Sequence, residues 1–324
     1  MRRMAQRILE PGQIETLAQR SIPRIRLPDR TALFARRAAR LRTLAETSPI
    51  ADYLRLCAVV AEAQHSALAD FPAELPEAMQ IETAQKHGMP PIPAAGGARA
   101  TRWRDALAPI RSAAMREPHL PQAAASLLAR LQDASADELD AQADILLGAR
   151  DGAIDAATAP FLMAALQVQW VALSSRFAAD AVKPLDVPGL CPLCGSLPVA
   201  SLVCAQSPYQ GYRYLHCALC ACEWHRVRVQ CSQCGAVGKD IAYQSLGDAA
   251  AADDAAAAAA AAAAAVRAET CEHCRGYRKI FYQEKDPHVE PVADDLASIA
   301  LDLLLAEAGY ARASGNPLLW QPAG

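Results

Sequence analysis

The sequence predicts an α+β protein: an N-terminal all-α helical domain, then two tandem rubredoxin- or zinc-ribbon-like modules, then a C-terminal helix. Three observations carry this. Apolar residues recur at helical spacing between residues 31 and 182. That periodicity then stops, and four Cys-x-x-Cys pairs appear among short strand-like runs. A last, strongly apolar helical stretch follows at 296–308. The resulting boundaries are 1–183 for the helical domain, 184–290 for the cysteine-rich region, and 291–324 for the terminal helix and tail, which must dock on the rest.

In the helical part, Thr31 to Glu46 carries Leu33, Phe34, Ala38, Leu41 and Leu44 on one stripe, with arginines opposite. Residues 1–50 hold eleven Arg against four acids. This arginine face reads as solvated, with an acidic partner surface as the alternative. Ser48-Pro49 reads as the next helix start, a capping serine followed by proline at the first helical position. Ile50, Tyr53, Leu54, Cys57, Val60 and Ala61 follow in register, which makes Cys57 a buried structural cysteine. Residues 88–100, rich in Gly and Pro, form a loop. Helices resume at Trp103–Met115, Gln122–Leu131 and Ala136–Leu147, and a long one runs from Asp155 to about Val182.

Lys183-Pro184 and Pro188-Gly189 make a linker, after which Val199–Val203, Tyr212–Leu215 and Trp224–Val229 read as strands. Asp294-Asp295 are expected to open the final helix, with acids at its positive end. Its apolar residues Leu296, Ile299, Ala300, Leu303 and Leu304 must pack on the helical domain or the cysteine modules. The alanine-rich segment 249–265 reads as a surface insertion able to form a short helix.

Composition narrows the function classes. About half of the 324 residues are apolar, which excludes a disordered chain. Net charge is -3, and residues 187–286 hold nine basic and nine acidic side chains, so the cysteine region is not built to coat a polyanion. No apolar core of a secretion signal follows Met1-Arg2-Arg3, and no uncharged apolar run is long enough for a membrane span. The expected location is cytoplasmic. Eleven cysteines stay reduced there, so paired cysteines point to metal or redox chemistry.

The pairs are Cys191/Cys194, Cys217/Cys220, Cys231/Cys234 and Cys271/Cys274. Two intervening residues let one tight turn aim both sulfurs at one ion, and two such turns supply a tetrahedral set. The first and third pairs continue with Gly195 and Gly235, suited to a left-handed turn; the second and fourth lack it. First to third is a step of 40 residues; second to fourth is 54, or 37 without the 17-residue insertion. This favours a duplicated ribbon, 191–229 and 231–285. Site one is then Cys191, Cys194, Cys217 and Cys220, and site two is Cys231, Cys234, Cys271 and Cys274. A cross-braced pairing, first with third and second with fourth, stays open. Cys222 should point elsewhere, as a neighbour of site one; Cys204 reads as structural or free. His216, His225 and His273 adjoin ligand cysteines, but thiolates already fill both sets. The ligands do not fix the metal: four thiolates bind zinc for structure or a single iron as in rubredoxin. They leave no open position for hydrolytic chemistry. With no phosphate loop, metalloprotease helix or nucleophile elbow, the chain is expected to have no catalytic residues and not to be an enzyme.

At these residues the chain resembles a known family, the formate dehydrogenase accessory proteins called FdhE. The likeness lies in Cys191-Pro192-Leu193-Cys194-Gly195-Ser196-Leu197-Pro198, in Leu215-His216-Cys217-Ala218-Leu219-Cys220 with Trp224, and in Cys231-Ser232-Gln233-Cys234-Gly235. It continues in Cys271-Glu272-His273-Cys274 with Tyr277 and Lys279, then in Asp294-Asp295-Leu296, Leu301-Asp302-Leu303-Leu304, Gly309-Tyr310 and Asn316-Pro317. The helical region around Arg40-Leu41, Leu54 and Gln64 shares it; the alanine-rich insertion departs from the pattern. The resemblance implies a cytoplasmic assembly factor for respiratory, molybdenum- or tungsten-dependent formate dehydrogenase. It would bind the catalytic subunit before export and carry iron in rubredoxin-like sites. A second copy of the chain is a further candidate partner; nucleic acid and membrane insertion are not expected. Two competing readings are a nucleic-acid-binding zinc ribbon, using Arg275, Arg278, Lys279 and the arginine-rich start, and a rubredoxin-like redox protein.

Overall fold

The computed structural model describes residues 22–97, 99–246 and 265–319. The alanine-rich insertion up to Ala264, with its expected helix, and the arginines before Ser21 lie outside them.

The helical part contains α1 (Leu33–Ala45), α2 (Ala51–Ala69), α3 (Ala78–Lys86), α4 (Trp103–Ala114), α5 (Gln122–Asp133), α6 (Ala136–Leu146) and α7 (Ala159–Ser174). The α1 stripe is buried at Leu33, Phe34, Ala38 and Leu41, as its spacing requires. At the next helix the expected start moves. Ser48 Oγ accepts from the Ile50 amide at 3.2 Å, but Ile50 has a non-helical backbone, and α2 begins only at Ala51. The long helix expected from Asp155 to Val182 is also shorter. A turn on the Asp155 carbonyl precedes Ala159, and a separate 3-10 turn occupies Ala179–Ala181. Nearly every residue of α7 is buried, which makes it the central helix, packed by α2, α4 and α6. The short helix α3 was not foreseen: it buries no side chain, so no apolar stripe marks it.

The second half adds β1 (Ile25–Arg26), β2 (Pro198–Val203), β3 (Arg213–Cys217), β4 (Glu223–Arg226), β5 (Ile241–Gln244), β6 (Val266–Cys271), β7 (Gly276–Tyr282) and β8 (Ala311–Arg312). They form one sheet in the order β1-β4-β3-β2-β7-β6-β5, with β8 beside β7. Its two halves, β4-β3-β2 and β7-β6-β5, repeat one another head to tail. Each is an antiparallel three-stranded ribbon, and a parallel β2–β7 pair, Ser201 opposite Ile280, fuses them. β3 ends on Cys217 and β6 ends on Cys271, so the repeat aligns the cysteines as well as the strands. A buried ion pair crosses the seam: Arg213 Nη2 lies 2.9 Å from Glu269 Oε1.

The C-terminal helix differs from expectation in two respects. It is two helices, α8 (Pro291–Ala297) and α9 (Ile299–Glu307), broken at Ser298. Glu290, not the aspartates, caps α8 by accepting from the Ala293 amide. Asp294 and Asp295 lie inside α8 and are buried because cations reach them. Arg40 holds Asp294; Arg312 and Lys279 hold Asp295. The helix pair docks on both parts of the molecule. α8 packs on α1 and β2, whereas Leu301 and Leu305 of α9 pack with Ala268 and Tyr277 of the second ribbon. Leu303 and Leu304 instead face outward.

The arginine-rich start is only partly a solvated face: among the described residues Arg24, Arg36 and Arg42 are exposed, whereas three others turn inward. Arg37 is buried and donates to Glu290; Arg40 donates to Asp294 and Asp286; Arg30 donates to the Leu68 and Phe71 carbonyls at the C-terminal end of α2. These are internal bonds between α1, α2 and the C-terminal helices. They leave Arg30, Arg37 and Arg40 committed inside the molecule and not to a partner.

Candidate metal centres

Each Cys-x-x-Cys pair sits on a tight turn at the end of a ribbon. In the first turn the Cys191 amide donates to the Ser196 carbonyl at 2.9 Å, and the Gly195 amide returns to the Cys191 carbonyl at 2.8 Å. The third turn repeats this: Cys231 donates to Ala236 at 2.8 Å and Gly235 to Cys231 at 3.2 Å. Gly195 and Gly235 both have left-handed backbones, with φ of 76° and 81°. The second and fourth turns make the same left-handed step without glycine, at Ala221 (φ 55°) and Arg275 (φ 54°). The glycine pattern therefore marked two turns of four; the geometry is common to all.

The turns bring the sulfurs together in two sets, Cys191, Cys194, Cys217 and Cys220 in one and Cys231, Cys234, Cys271 and Cys274 in the other. Within each, all four sulfurs lie within 4.8 Å of one another. The sequential grouping is the one found, and the cross-braced alternative is not. Close pairs are Cys191–Cys220 at 3.5 Å, Cys194–Cys217 at 3.4 Å, Cys231–Cys274 at 3.8 Å and Cys234–Cys271 at 3.6 Å. A tetrahedral ion with metal–sulfur bonds of about 2.3 Å separates its sulfurs by about 3.8 Å, so both sets fit one such ion. Backbone amides point at the sulfurs: Leu219 and Cys220 toward Cys217, and Gln233 and Cys234 toward Cys231.

Burial makes ionisation costly in the first set. Burial pushes Cys191, Cys217 and Cys220 well above the ordinary thiol range. Burial acts on Cys194 too, but hydrogen bonds from the other three thiols outweigh it and hold Cys194 well below. The bare set therefore prefers one thiolate among neutral thiols. A bound cation would offset the cost of ionising the rest.

The neighbours sort as follows. Cys222 is buried beside the first set and is not one of its four sulfurs, as expected of a neighbour; its sulfur faces the Glu223 carbonyl at 4.0 Å. Cys204 is buried under Arg26, whose Nη1 lies 2.8 Å from its sulfur; burial still pushes the thiol up to about 11. Cys57 is buried in α2, where its thiol rises to about 12. Among the described residues neither sulfur set includes a histidine. His216 is 2.9 Å from Glu223 Oε1, His225 stacks edge-on against Tyr212 and Tyr214, and His273 is exposed on the fourth turn.

Two features escaped the sequence reading. β1 adds an edge to the first ribbon, pairing Ile25 with Trp224, but two residues are too few for any periodic signal. The loop ahead of α4 clasps the first turn: the Ile92 amide donates to the Leu193 carbonyl at 3.0 Å and the Ala94 amide to the Cys194 carbonyl at 2.8 Å.

Comparison with known proteins agrees with this architecture. Three family models match in succession: FdhE, N-terminal, over residues 22–186; FdhE, central domain, over 190–228; and FdhE, C-terminal domain, over 229–319. A protein FdhE homolog from Cronobacter sakazakii is 40% identical over 321 residues, covering 98% of each chain. Protein FdhE of Escherichia coli K12 is 39% identical over 312 residues, 96% of each. The crystal structure of the FdhE protein from Pseudomonas aeruginosa superposes with a TM-score of 0.74 at 40% identity, covering 93% of this chain and 100% of that one. Helical part, both ribbons and C-terminal helices are thus all shared, and the chain belongs to the FdhE family.

Proposed function

We propose that the chain is an accessory factor for the maturation of formate dehydrogenase. In this reading it is cytoplasmic, has no reaction of its own, binds the catalytic subunit of the enzyme, and carries iron in two mononuclear tetrathiolate sites, with zinc as the alternative. The observation that carries the reading is the unbroken family match over the helical part and both ribbons. The eight cysteines would be the ligands. A bound ion supplies a cross-link between two turns and, if it is iron, a one-electron couple. The turns supply the rest: left-handed steps that aim the sulfurs, and amides that stabilise them as thiolates.

The nucleic-acid reading loses two of the cations it named. Arg278 is buried against Ser232 and the Pro198 carbonyl, and Lys279 is buried between Asp295 and Asp302. Arg275 spans Glu272 and the Ala308 carbonyl. Among the described residues no helix is long and apolar enough to cross a membrane.

The test is co-purification of the tagged chain with the catalytic subunit of formate dehydrogenase from cell extract, paired with a deletion strain. Capture of that subunit and loss of formate dehydrogenase activity in the deletion are the expected results. A deletion strain with normal activity would overturn the reading.

A further inference from the structure

The two sulfur sets are built alike but embedded differently. All four sulfurs of the first set belong to the main core, which is continuous with the helices. Cys191 and Cys220 are 0% exposed, and Cys194 and Cys217 are 1%. The helical part closes over both turns. The loop before α4 bonds the first, while Gln167 and Ser174 of α7 donate to the Ala218 and Cys220 carbonyls of the second at 2.6 Å and 2.8 Å. A Cβ on Gly195 would meet Pro90 at 3.3 Å, so even the outer face of this turn is covered.

The second set belongs to a small satellite cluster of Cys231, Ile241 and Cys271. Cys234 is exposed and Cys274 is half-buried. Nothing lies within 4 Å of a Cβ built on Gly235, so this turn opens to solvent. The neighbours Gln233, Glu272 and His273 are exposed as well. The four sulfurs are not equally free. Cys271 is held in the sheet opposite Ile241, and Cys231 receives two amides. Cys274 abuts the buried Gly276, where an added Cβ would lie 3.3 Å from its sulfur. Cys234 has the fewest restraints and the widest approach.

We infer that the second set is a ligand-exchange site at which Cys234 is displaced by an external thiol, whereas the first set keeps its metal as part of the core. This rests on the reading of the eight cysteines as metal ligands. In the exchange an incoming low-molecular-weight thiol gives up its proton, and its sulfur bonds to the metal as the Cys234 sulfur–metal bond breaks. Cys234 takes up the released proton and becomes a thiol. The metal keeps its oxidation state, so no oxidant or reductant is needed. The bound ion is then held by three protein sulfurs and one exogenous sulfur, from which it can pass to an acceptor or be replaced. The same step in the first set has no path, because no solvent-sized approach reaches a fully buried sulfur without opening the core.

The experiment uses the full chain loaded with two equivalents of zinc and challenged with a chromogenic chelator, with and without reduced glutathione. One equivalent is expected to leave in a phase that glutathione accelerates, and the other only when the protein is unfolded. Cys271→Ser, which removes a ligand of the second set alone, should abolish the fast phase and keep the slow equivalent. In parallel, iodoacetamide labelling of the loaded wild-type chain, read by peptide mass, should modify Cys234 before the other seven ligand cysteines. Release of both equivalents in one phase, indifference to glutathione, or first labelling of a sulfur in the first set would overturn the inference while leaving the metal reading intact. Failure to load two equivalents would sink both.

Discussion

Arg40 of α1 grips Asp294 of α8 across 254 residues of sequence, with Nε 2.9 Å from Oδ2 and Nη2 2.5 Å from Oδ1. Asp294 is 2% exposed, so this pair ties the C-terminal helices to the start of the helical part from inside the molecule. Removing one partner of a buried pair leaves the other charge uncompensated. Arg40→Gln should therefore lower unfolding stability by about 3 kcal/mol. The Arg40→Gln, Asp294→Asn double variant should lose at least about 1 kcal/mol less than the sum of the two single losses. Urea unfolding of the four proteins checks this, and additive losses would show that the contact carries no coupling.

The grouping of the thiols can be read by metal counting with paired substitutions. Cys191→Ser with Cys217→Ser strikes one set twice and should cost one equivalent of metal. Cys191→Ser with Cys231→Ser strikes both and should cost two. A cross-braced protein would give the reverse, so elemental analysis of the two double variants separates the arrangements.

Ala221 adopts a left-handed backbone that L-residues other than glycine enter at a cost of roughly 1–2 kcal/mol. Ala221→Gly relieves this but loosens the unfolded chain by about 0.4–1 kcal/mol, which leaves a net gain of about 0.5 kcal/mol. Gly195→Ala at the equivalent step of the first turn should destabilise, because it adds strain and meets Pro90. Arg275→Gly should show less gain than Ala221→Gly, since Arg275 also covers the Tyr310 ring at 4.0 Å and donates to the Ala308 carbonyl. Thermal midpoints of the three variants decide this; a lower midpoint for Ala221→Gly would remove the strain argument.

Glu223 supplies a pH dependence of defined sign. Burial raises its carboxyl, but the His216 hydrogen bond and the Arg26 charge outweigh burial and hold it below the usual 4.5. The folded chain thus binds this proton more weakly than the unfolded chain. The stabilisation is present above the ordinary glutamate value and is lost as pH falls through the depressed one. Glu223→Gln should flatten the acid side of the stability profile below about pH 4.5 and leave its alkaline side unchanged. Urea midpoints taken from neutral pH down to about pH 3 would show it, and an unaltered acid slope would contradict it.

Much of this molecule is legible because its signals are local. A Cys-x-x-Cys turn is closed by hydrogen bonds within six residues, so spacing alone marks the four turns; which turns share a set depends on contacts between them and is seen only in the fold. Helical stripes such as Leu33, Phe34, Ala38 and Leu41 are likewise read within one element. Elements without a local signature were missed: α3 buries nothing, and β1 is two residues long.

The amino-acid order carries the class of the protein: a helical part, four paired-cysteine turns among strands, and the residues that identify the family. The tertiary structure decided the environments. Arg37, Arg40, Asp294, Arg278 and Lys279 look like surface charges in the sequence and are interior in the fold, because their partners lie on other elements. The same holds for the sulfurs. Sequence makes the two sets near-equivalent, but only the first lies where α7 and the loop before α4 can close over it. Burial depends on what packs from elsewhere in the chain, and no local spacing encodes that.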